Sequence, residues 1–363
     1  MTNIIHFKRG DIGIGELRRR IASARPDIVH VHGCWSVEVW RAARLCLKKR
    51  IPFVLSPERA LEPWHVADGY WLHKLPMLLL FQLRMVRRAK ALIAVTAQER
   101  DNLLTLSIVP IVKRRKPLNA DIAVITTDDE KQRAEETERL YRKVADTHPF
   151  LTMSTEEIAA ENILLRLGLA RDGLSRTLNE DELHTARDIG EASWRKIQLH
   201  AADEGIIDDV RRGAEVVRPA VKDIDITTIE RFDKHTRKNT QPLDTTTAKM
   251  SPLHLEEVSE EEKATAGDIL ICTVILNLRH EMVHKTVSKR HIADMYTALR
   301  FTDYDEDRVN RMLSVLGMRG FARRVLCIMS ESLSLQEGFM PMPPLNDRKT
   351  AKIRHLLNRM NIQ

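Results

Sequence analysis

Short apolar runs alternate with amphipathic stretches through the first 125 residues of the chain. The apolar runs are bounded by charged or turn-forming residues, which is typical of buried strands in a parallel sheet. The stretches between them have helical spacing. The predicted strands are Asn3–Phe7, Asp27–His32, Ile51–Leu55, Ala91–Val95 and Ile122–Ile125. Strands that alternate with helices predict right-handed crossovers and a Rossmann-like α/β domain over residues 1–127.

Helix-start signals support the predicted alternation. Ser36 precedes a helix that extends to about Lys49, and Thr96 with Glu99 has the spacing of a capping box. Two further helices are predicted over Glu16–Ala24 and Trp71–Ala89. Each helix lies between two predicted strands, as a parallel sheet requires.

Beyond residue 127 the pattern becomes helical. We expect a helical region over 128–217, a polar, Thr-rich linker or long loop over 218–262, and a helical domain over 263–363. The predicted fold class is therefore a Rossmann-like parallel sheet domain followed by a mainly α-helical region.

Basic residues are concentrated in the predicted α/β domain. The whole chain has a formal net charge of +7, and within residues 1–125 Lys and Arg outnumber Asp and Glu about two to one. This imbalance favours an anionic partner, such as a phosphorylated substrate, nucleic acid or an acidic membrane surface. We expect no nucleic acid, because stacking aromatics do not interleave with the basic clusters and no zinc-finger or helix-turn-helix signature is present.

The cysteines and the apolar segments favour a cytoplasmic protein. Cys34, Cys46, Cys272 and Cys327 have no metal-ligand spacing, and no secretory signal precedes them. No apolar run reaches the length of a membrane span. The segment 71–90 combines an apolar patch with Lys and Arg, which leaves two interpretations: a core-facing helix, or peripheral contact with the inner face of a membrane.

Polar and aromatic residues gather where the predicted strands end, and ligands of open α/β sheets bind at that edge. This part of the chain resembles the amino-terminal domain of the family-4 glycosyltransferases of the GT-B type, as found in bacterial polysaccharide loci. The resemblance rests on five blocks in the family's order. They are Pro26–Gly33 with Trp35, Ile51–Val54 with Ser56-Pro57, Leu61–Trp64, Ala89–Ile93, and Thr96 with Glu99.

The resemblance implies transfer of a sugar from a nucleotide-sugar donor to a saccharide or lipid-linked acceptor, in surface polysaccharide synthesis. The amino-terminal domain would receive the acceptor, the nucleotide sugar would be a co-substrate, and no cofactor would be required. Candidate catalytic residues are Glu58 and His32. Candidate substrate-binding residues are Gly33, Trp35, Arg59, Glu62, Trp64 and Thr96.

Two departures from the family pattern leave the activity open. Glu58 stands where the family has a histidine, and the chain lacks the spaced glutamate pair that marks the family's donor-binding domain. The alternative is a non-catalytic interaction protein derived from a glycosyltransferase. A partner chain that supplies a donor site is a third arrangement compatible with the sequence.

A separate motif raises a zinc-peptidase alternative. Residues 280–284 read HEMVH, which places His280 and His284 on one helical face with Glu281 between them. Arg279 and Lys285 flank the motif, and positive charge beside a metal is unfavourable. We expect no metal site in this chain and retain these two histidines as weak candidates.

Overall fold

The computed structural model describes residues 3–62, 65, 73–105, 121–125, 129–171, 178–217, 224–232 and 238–359. The chain divides into two compact units. The first comprises residues 1–152 together with 227–234, and the second comprises residues 153–226 together with 235–363. Each unit has its own hydrophobic core.

The first unit is built on a five-stranded parallel sheet, as predicted. The strands follow one another across the sheet in chain order: β1 (Ile4–Phe7), β2 (Ile28–His32), β3 (Phe53–Ser56), β4 (Ala91–Ala94) and β5 (Asp121–Val124). The observed bounds differ from the predicted ones by two residues or fewer. The Rossmann-like fold class is therefore confirmed.

Six helical segments flank the sheet among the described residues of the first unit. They are α1 (Ile14–Ala24), α2 (Val37–Lys49), α3 (Leu75–Met77 and Leu83–Arg88, joined by the π-helical turn Leu78–Gln82), α4 (Ala97–Thr105), α5 (Glu130–Thr147) and α6 (Pro149–Thr152). Ser36 caps α2 by accepting a hydrogen bond from the Glu38 backbone N–H, and Thr96 accepts one from the Glu99 N–H at 3.0 Å. Both predicted helix starts are therefore present.

The two faces of the sheet are covered by different helices. Helices α1 to α4 pack on the face that carries Val29, Val31 and Leu55. Helix α5 packs on the opposite face, against alternate residues such as Ile28 and Val54. This division follows from the period of two along a strand, which sends successive side chains to opposite faces.

The first boundary lies further along the chain than residue 127, where we expected it. Helix α5 was expected in the helical region, but its buried residues Leu140, Tyr141 and Val144 belong to the core on the second face of the sheet. A parallel sheet needs apolar cover on both faces. Helix α5 supplies part of that cover, so the first unit extends to residue 152.

The described residues of the second unit form α-helices joined by turns and loops, with no strand among them. Its α-helices are α7 (Thr155–Leu169), α8 (Glu180–Arg187), α9 (Glu191–Asp203), α10 (Ile207–Val217), α11 (Pro252–Glu261), α12 (Ala266–His284), α13 (Lys289–Phe301), α14 (Glu306–Val315), α15 (Arg319–Leu333) and α16 (Arg348–Arg359), with a short 3₁₀ turn at Glu337–Phe339. A further 3₁₀ turn, Ile226–Thr228, spans the point where the chain passes from this unit to residues 227–234 of the first. Among these helices, none is both long and apolar enough to cross a membrane.

The expected linker over 218–262 is partly ordered structure. Its last part forms α11, and Leu243 and Ala248 are buried in the helical core. Asn277 holds this stretch by donating hydrogen bonds to the carbonyl oxygens of Asp244 and Thr247, both at 2.8 Å. Polar, weakly periodic sequence predicted a loop, but side-chain hydrogen bonds fix its backbone. Residues 218–223 and 233–237 lie outside the described residues.

Helices α7 and α10 approach each other at two glycines. A Cβ atom on Gly168 would lie 1.7 Å from the carbonyl oxygen of Asp209, and one on Gly213 would lie 1.9 Å from that of Leu164. Any side chain at either position would force the two helices apart. The close contact thus depends on glycine at both positions.

A network of charged side chains is buried beside this contact. His200 lies 2.7 Å from Glu161 through Nδ1 and 3.4 Å from Glu204 through Nε2. Lys289 contacts Glu161 at 2.5 Å, and Lys238 contacts Glu204. Both imidazole nitrogens face carboxylates, so His200 is held as a cation.

The pKa values of this network are coupled to folding. Burial lowers the pKa of His200, but the two carboxylates outweigh burial and the net direction is upward. Burial raises the pKa values of Glu161 and Glu204, but His200 and the lysines outweigh it and the net direction is downward. Each net shift favours the charged form in the folded state.

These directions predict a pH optimum for the stability of the helical unit. A raised histidine pKa contributes stability below its ordinary value of 6.5, and this is lost as the pH rises through the raised pKa. Lowered glutamate pKa values contribute above 4.5, and this is lost as the pH falls through them. We therefore expect the backbone amides of α9 to exchange most slowly between pH 4.5 and pH 6.5, after correction for the intrinsic exchange rates.

The variant His200→Gln removes the cation, so it should lower this protection at pH 6 and abolish its loss at alkaline pH. His184→Gln changes an exposed helical histidine of the same unit and serves as the control. Equal protection of α9 in His200→Gln and the parent at pH 6 would contradict the stabilising role of the network.

Candidate functional site

The carboxyl-terminal ends of β1, β2 and β3 bring polar side chains to the face of the sheet that α5 covers. In the parallel register His6 pairs with His30, and His32 pairs with Ser56. His30 and His32 are two residues apart on one strand, so they share a face. Three histidines and a serine therefore meet at the strand ends, where open α/β sheets bind ligands.

His30 is the buried member of this group, with 4% of its surface exposed. Its Nδ1 lies 2.6 Å from the hydroxyl oxygen of Tyr141, and its Nε2 lies 2.7 Å from Oγ of Ser56. Burial, together with the neighbouring His32 and His6, lowers the pKa of His30 to about 2. The imidazole is therefore neutral, and it donates through one nitrogen while it accepts at the other.

His6, His32 and Glu58 form a hydrogen-bonded chain at the rim. Nδ1 of His6 lies 3.2 Å from Nε2 of His32, and Nδ1 of His32 lies 3.2 Å from Oε1 of Glu58. A carboxylate only accepts, so His32 donates its Nδ1–H to Glu58. When His32 is neutral, its Nε2 is then an acceptor and takes the Nδ1–H of His6. Burial and the neighbouring His32 lower the pKa of His6.

The loops that follow β2 and β3 have unusual backbone conformations. Gly33, Trp35, Glu58 and Arg59 all have positive φ, at 87°, 55°, 54° and 65°. Left-handed backbone at three residues with side chains is unfavourable and persists only where surrounding contacts hold it. Such strain is common at ligand sites, and here it orients Glu58 toward His32.

Glu99 supplies the contacts that hold the loop after β3. Its side chain is fully buried and accepts hydrogen bonds from the backbone N–H groups of Arg59 and Val95, both at 2.8 Å. Burial raises the pKa of Glu99, and the two N–H groups partly offset that rise. One carboxylate thus ties the loops after β3 and β4 together.

The structure brings the two candidate catalytic residues together, and it places the candidate binding residues in different surroundings. The Trp35 indole N–H donates to the carbonyl oxygen of Ala60 at 2.6 Å, so the ring is anchored within the domain. Glu62 is 1% exposed, and its carboxylate lies 3.4 Å from Nε of Arg59, whose side chain is about half exposed. Thr96 caps α4, Gly33 turns the chain after β2, and Trp64 lies outside the described residues.

Four residues of the site were missed by the sequence predictions: His6, Ser56, Tyr141 and Glu99. A sequence signal existed for His6, because it occupies the fourth position of the predicted strand Asn3–Phe7, and the next predicted strand reads DIVHVH. Tyr141 had none, since nothing in the sequence shows that α5 returns to cover the sheet. Glu99 was identified as a capping residue, but its role toward Arg59 depends on tertiary contact.

The HEMVH motif has a structural role. Glu281 accepts hydrogen bonds from Thr286 at 2.5 Å and Lys249 at 3.0 Å. Its carboxylate is also buried, so it is engaged by these two side chains instead of facing solvent. The rings of His280 and His284 lie 4.3 Å apart. Among the described residues, no third ligand joins this histidine pair. The zinc-peptidase alternative stays a prediction.

A cavity of about 720 Å³ lies in the helical unit. Part of its charged lining is internally paired: Arg290 lies 3.2 Å from Asp209 and 2.8 Å from Asp294. Burial raises the pKa values of both aspartates. The size fits a small ligand.

The role of Glu99 gives a test of how the site is held. Glu99→Ala would leave the part-buried backbone N–H groups of Arg59 and Val95 without their acceptor, so we expect a loss of roughly 1–3 kcal/mol in the free energy of unfolding. Glu99→Gln keeps one acceptor oxygen and should lose less. Urea denaturation followed by tryptophan fluorescence measures both. Glu38→Ala, at an exposed glutamate of the same unit, should change stability by no more than about 0.5 kcal/mol, and an equal effect at Glu99 would refute this role.

Comparison with known proteins agrees with the geometry of the first unit. Residues 12–116 match the family model described as a glycosyl transferase 4-like domain. No curated protein and no solved structure matches the chain. The matched residues include β2 to β4 and carry His32, Glu58 and Glu99, so the amino-terminal part of this chain is similar to a glycosyltransferase family 4-like domain.

Proposed function

We propose that this protein is a glycosyltransferase that moves a sugar from a nucleotide-sugar donor to a saccharide or lipid-linked acceptor. The observation that carries the proposal is the pairing of His32 with Glu58, 3.2 Å apart, at the strand ends of a domain that matches the glycosyl transferase 4-like model. Surface polysaccharide synthesis in the bacterial cytoplasm is the setting that the resemblance suggests.

The chemistry requires an acceptor hydroxyl that becomes nucleophilic as the donor bond breaks. In the proposed step Glu58 accepts the hydroxyl proton, the acceptor oxygen bonds to the anomeric carbon, and the nucleotide diphosphate leaves with the electron pair of the broken C–O bond. His32 orients Glu58 through its Nδ1–H. Nearly half of the Glu58 side chain is exposed, so an acceptor has access to it. The half-exposed Arg59 offers positive charge beside the reacting groups.

A second candidate function comes from the helical unit. All five strands of the described residues belong to the first unit, and the described part of the second unit contains helices where the resemblance implies a donor-binding Rossmann domain. This observation favours either a non-catalytic interaction protein or an enzyme whose donor site comes from a partner chain. The outcome of a donor-binding experiment separates these possibilities from a self-sufficient enzyme.

The surface of α3 supports peripheral contact with an anionic membrane. Leu79 and Leu80 are 70% and 75% exposed, whereas Leu78 and Phe81 face the core. Arg84, Arg87 and Arg88 are exposed on the same short helix. Adjacent apolar and basic side chains fit the interface of an anionic bilayer, where a lipid-linked acceptor would reside.

Sugar transfer can be tested in two steps. Saturation-transfer NMR with a panel of nucleotide sugars identifies the donor that binds, and turnover is then measured with that donor. We expect Glu58→Gln to lower kcat at least 100-fold, since general-base catalysis contributes about 10²–10⁴, and to leave saturation transfer from the donor intact. Glu38→Gln is the matched control. Binding of no donor by the chain alone would overturn the self-sufficient enzyme and favour the second candidate.

For membrane contact, we expect the chain to co-sediment with vesicles that contain anionic lipid and not with neutral phosphatidylcholine vesicles. Replacement of Leu79 and Leu80 by serine should weaken binding at least tenfold, since burial of two leucines contributes on the order of 3 kcal/mol. Leu253→Ser, at an exposed leucine of the other unit, should leave binding unchanged. Unaltered binding of the double variant would reject α3 as the contact.

A further inference from the structure

We propose that His6, His30 and His32 form a binding site for a divalent transition metal ion of the zinc type. The three imidazoles come from two adjacent strands and meet on one face of the sheet. Among the described residues, they are the group in which one ligand atom from each member lies within 4.8 Å of the others. The expectation of a protein without a metal site is revised by this proposal.

The spacing of the imidazole nitrogens matches what a tetrahedral ion requires. Zn–N bonds of about 2.0–2.1 Å in tetrahedral geometry place two ligand nitrogens roughly 3.3–3.4 Å apart. Nδ1 of His6 and Nε2 of His32 are already 3.2 Å apart. An ion bound to both nitrogens would replace the shared proton and would lie to one side of the line that joins them, toward which the two rings would turn.

The groups behind the histidines resemble the outer shell of a metal site. A ligating histidine usually donates its other N–H to a carboxylate, which fixes the ring and strengthens the ligand. His32 does this through Nδ1 toward Glu58, which leaves Nε2 for a metal. His30 is held by Tyr141 and Ser56, so it would exchange one of these two hydroxyl partners for the ion.

The donor set also suits a metal, because imidazole nitrogen is a common ligand of transition metal ions. Three imidazoles suit zinc, and also copper, nickel, cobalt and iron.

Three protein ligands leave one coordination position for water or substrate, as in catalytic zinc sites. This extension rests on the proposed function: an acceptor hydroxyl at that position would be acidified by the ion, and its proton would pass to Glu58. The metal site itself needs only the geometry of the strand ends.

The test uses the full-length chain without an affinity tag, stripped with a chelator and titrated with Co²⁺ and Zn²⁺. We expect one equivalent of Co²⁺ to bind and to give visible absorption bands typical of four-coordinate cobalt, which Zn²⁺ displaces. His6→Ala and His32→Ala should abolish the bands. Glu58→Gln should keep the stoichiometry and weaken zinc affinity about 10–100-fold. Circular dichroism verifies that each variant is folded.

The double variant His280→Ala/His284→Ala is the matched control, because it removes the other close histidine pair and should bind like the parent. Bands that persist in folded His6→Ala and His32→Ala, or no uptake by the folded parent, would overturn the proposal. The result is independent of the transferase assay. Metal uptake without donor binding would leave the site standing and reject the self-sufficient enzyme, whereas transfer by a metal-free chain would reject only the catalytic extension.

Discussion

The parallel register of the first three strands is the constraint on which the candidate site depends. Because His6 stands opposite His30 and His32 stands opposite Ser56, the alternation along each strand sends all four side chains to one face. A shift of one residue in either pairing would send part of this group into the apolar face that α1 to α4 cover. The apolar neighbours Val29, Val31 and Leu55 make such a shift costly, since they would move into the polar cluster.

The loops that follow β2 and β3 start from these paired strands, and their own backbone is strained. Glu58 and Arg59 adopt left-handed backbone, and Glu99 holds that conformation from the neighbouring helix α4. The result is a carboxylate fixed beside an imidazole at a sheet edge. This arrangement suits proton transfer, and with His6 and His30 it also suits a metal ion. Both proposals therefore use one rigid feature of the fold.

Much of the first unit was predictable from sequence, because buried strands and capped helices leave local patterns. Asp27–His32 shows how: its apolar run gave the strand, and the strand end gave His32 as a candidate site residue. The position of α5 was not predictable, since its amphipathic pattern says only that it packs on something. Tyr141 and the boundary at 152 followed from that tertiary contact. The same limit applies to Glu62, whose motif suggested a ligand contact but whose side chain is buried.

The helical unit is held in its fold by contacts of a different kind. Its core includes the cation of His200 between two glutamates and a contact between helices that only glycine permits. Neither feature has a local sequence pattern, because each arises from residues far apart in the chain. The family match ends at residue 116, before this unit begins. The donor-binding experiment therefore tests what the helical unit contributes to the proposed function.

Both proposals require Glu58 and His32 to hold each other so that Nε2 of His32 faces His6 with a lone pair. Long-range ¹H–¹⁵N NMR of the histidine side chains in metal-free protein measures this directly, with His32 assigned through a His32→Gln variant. We expect neutral His32 to carry its proton on Nδ1, and Glu58→Gln to weaken this preference. A His32 with its proton on Nε2 would overturn this arrangement, since that nitrogen could then neither accept from His6 nor bind a metal.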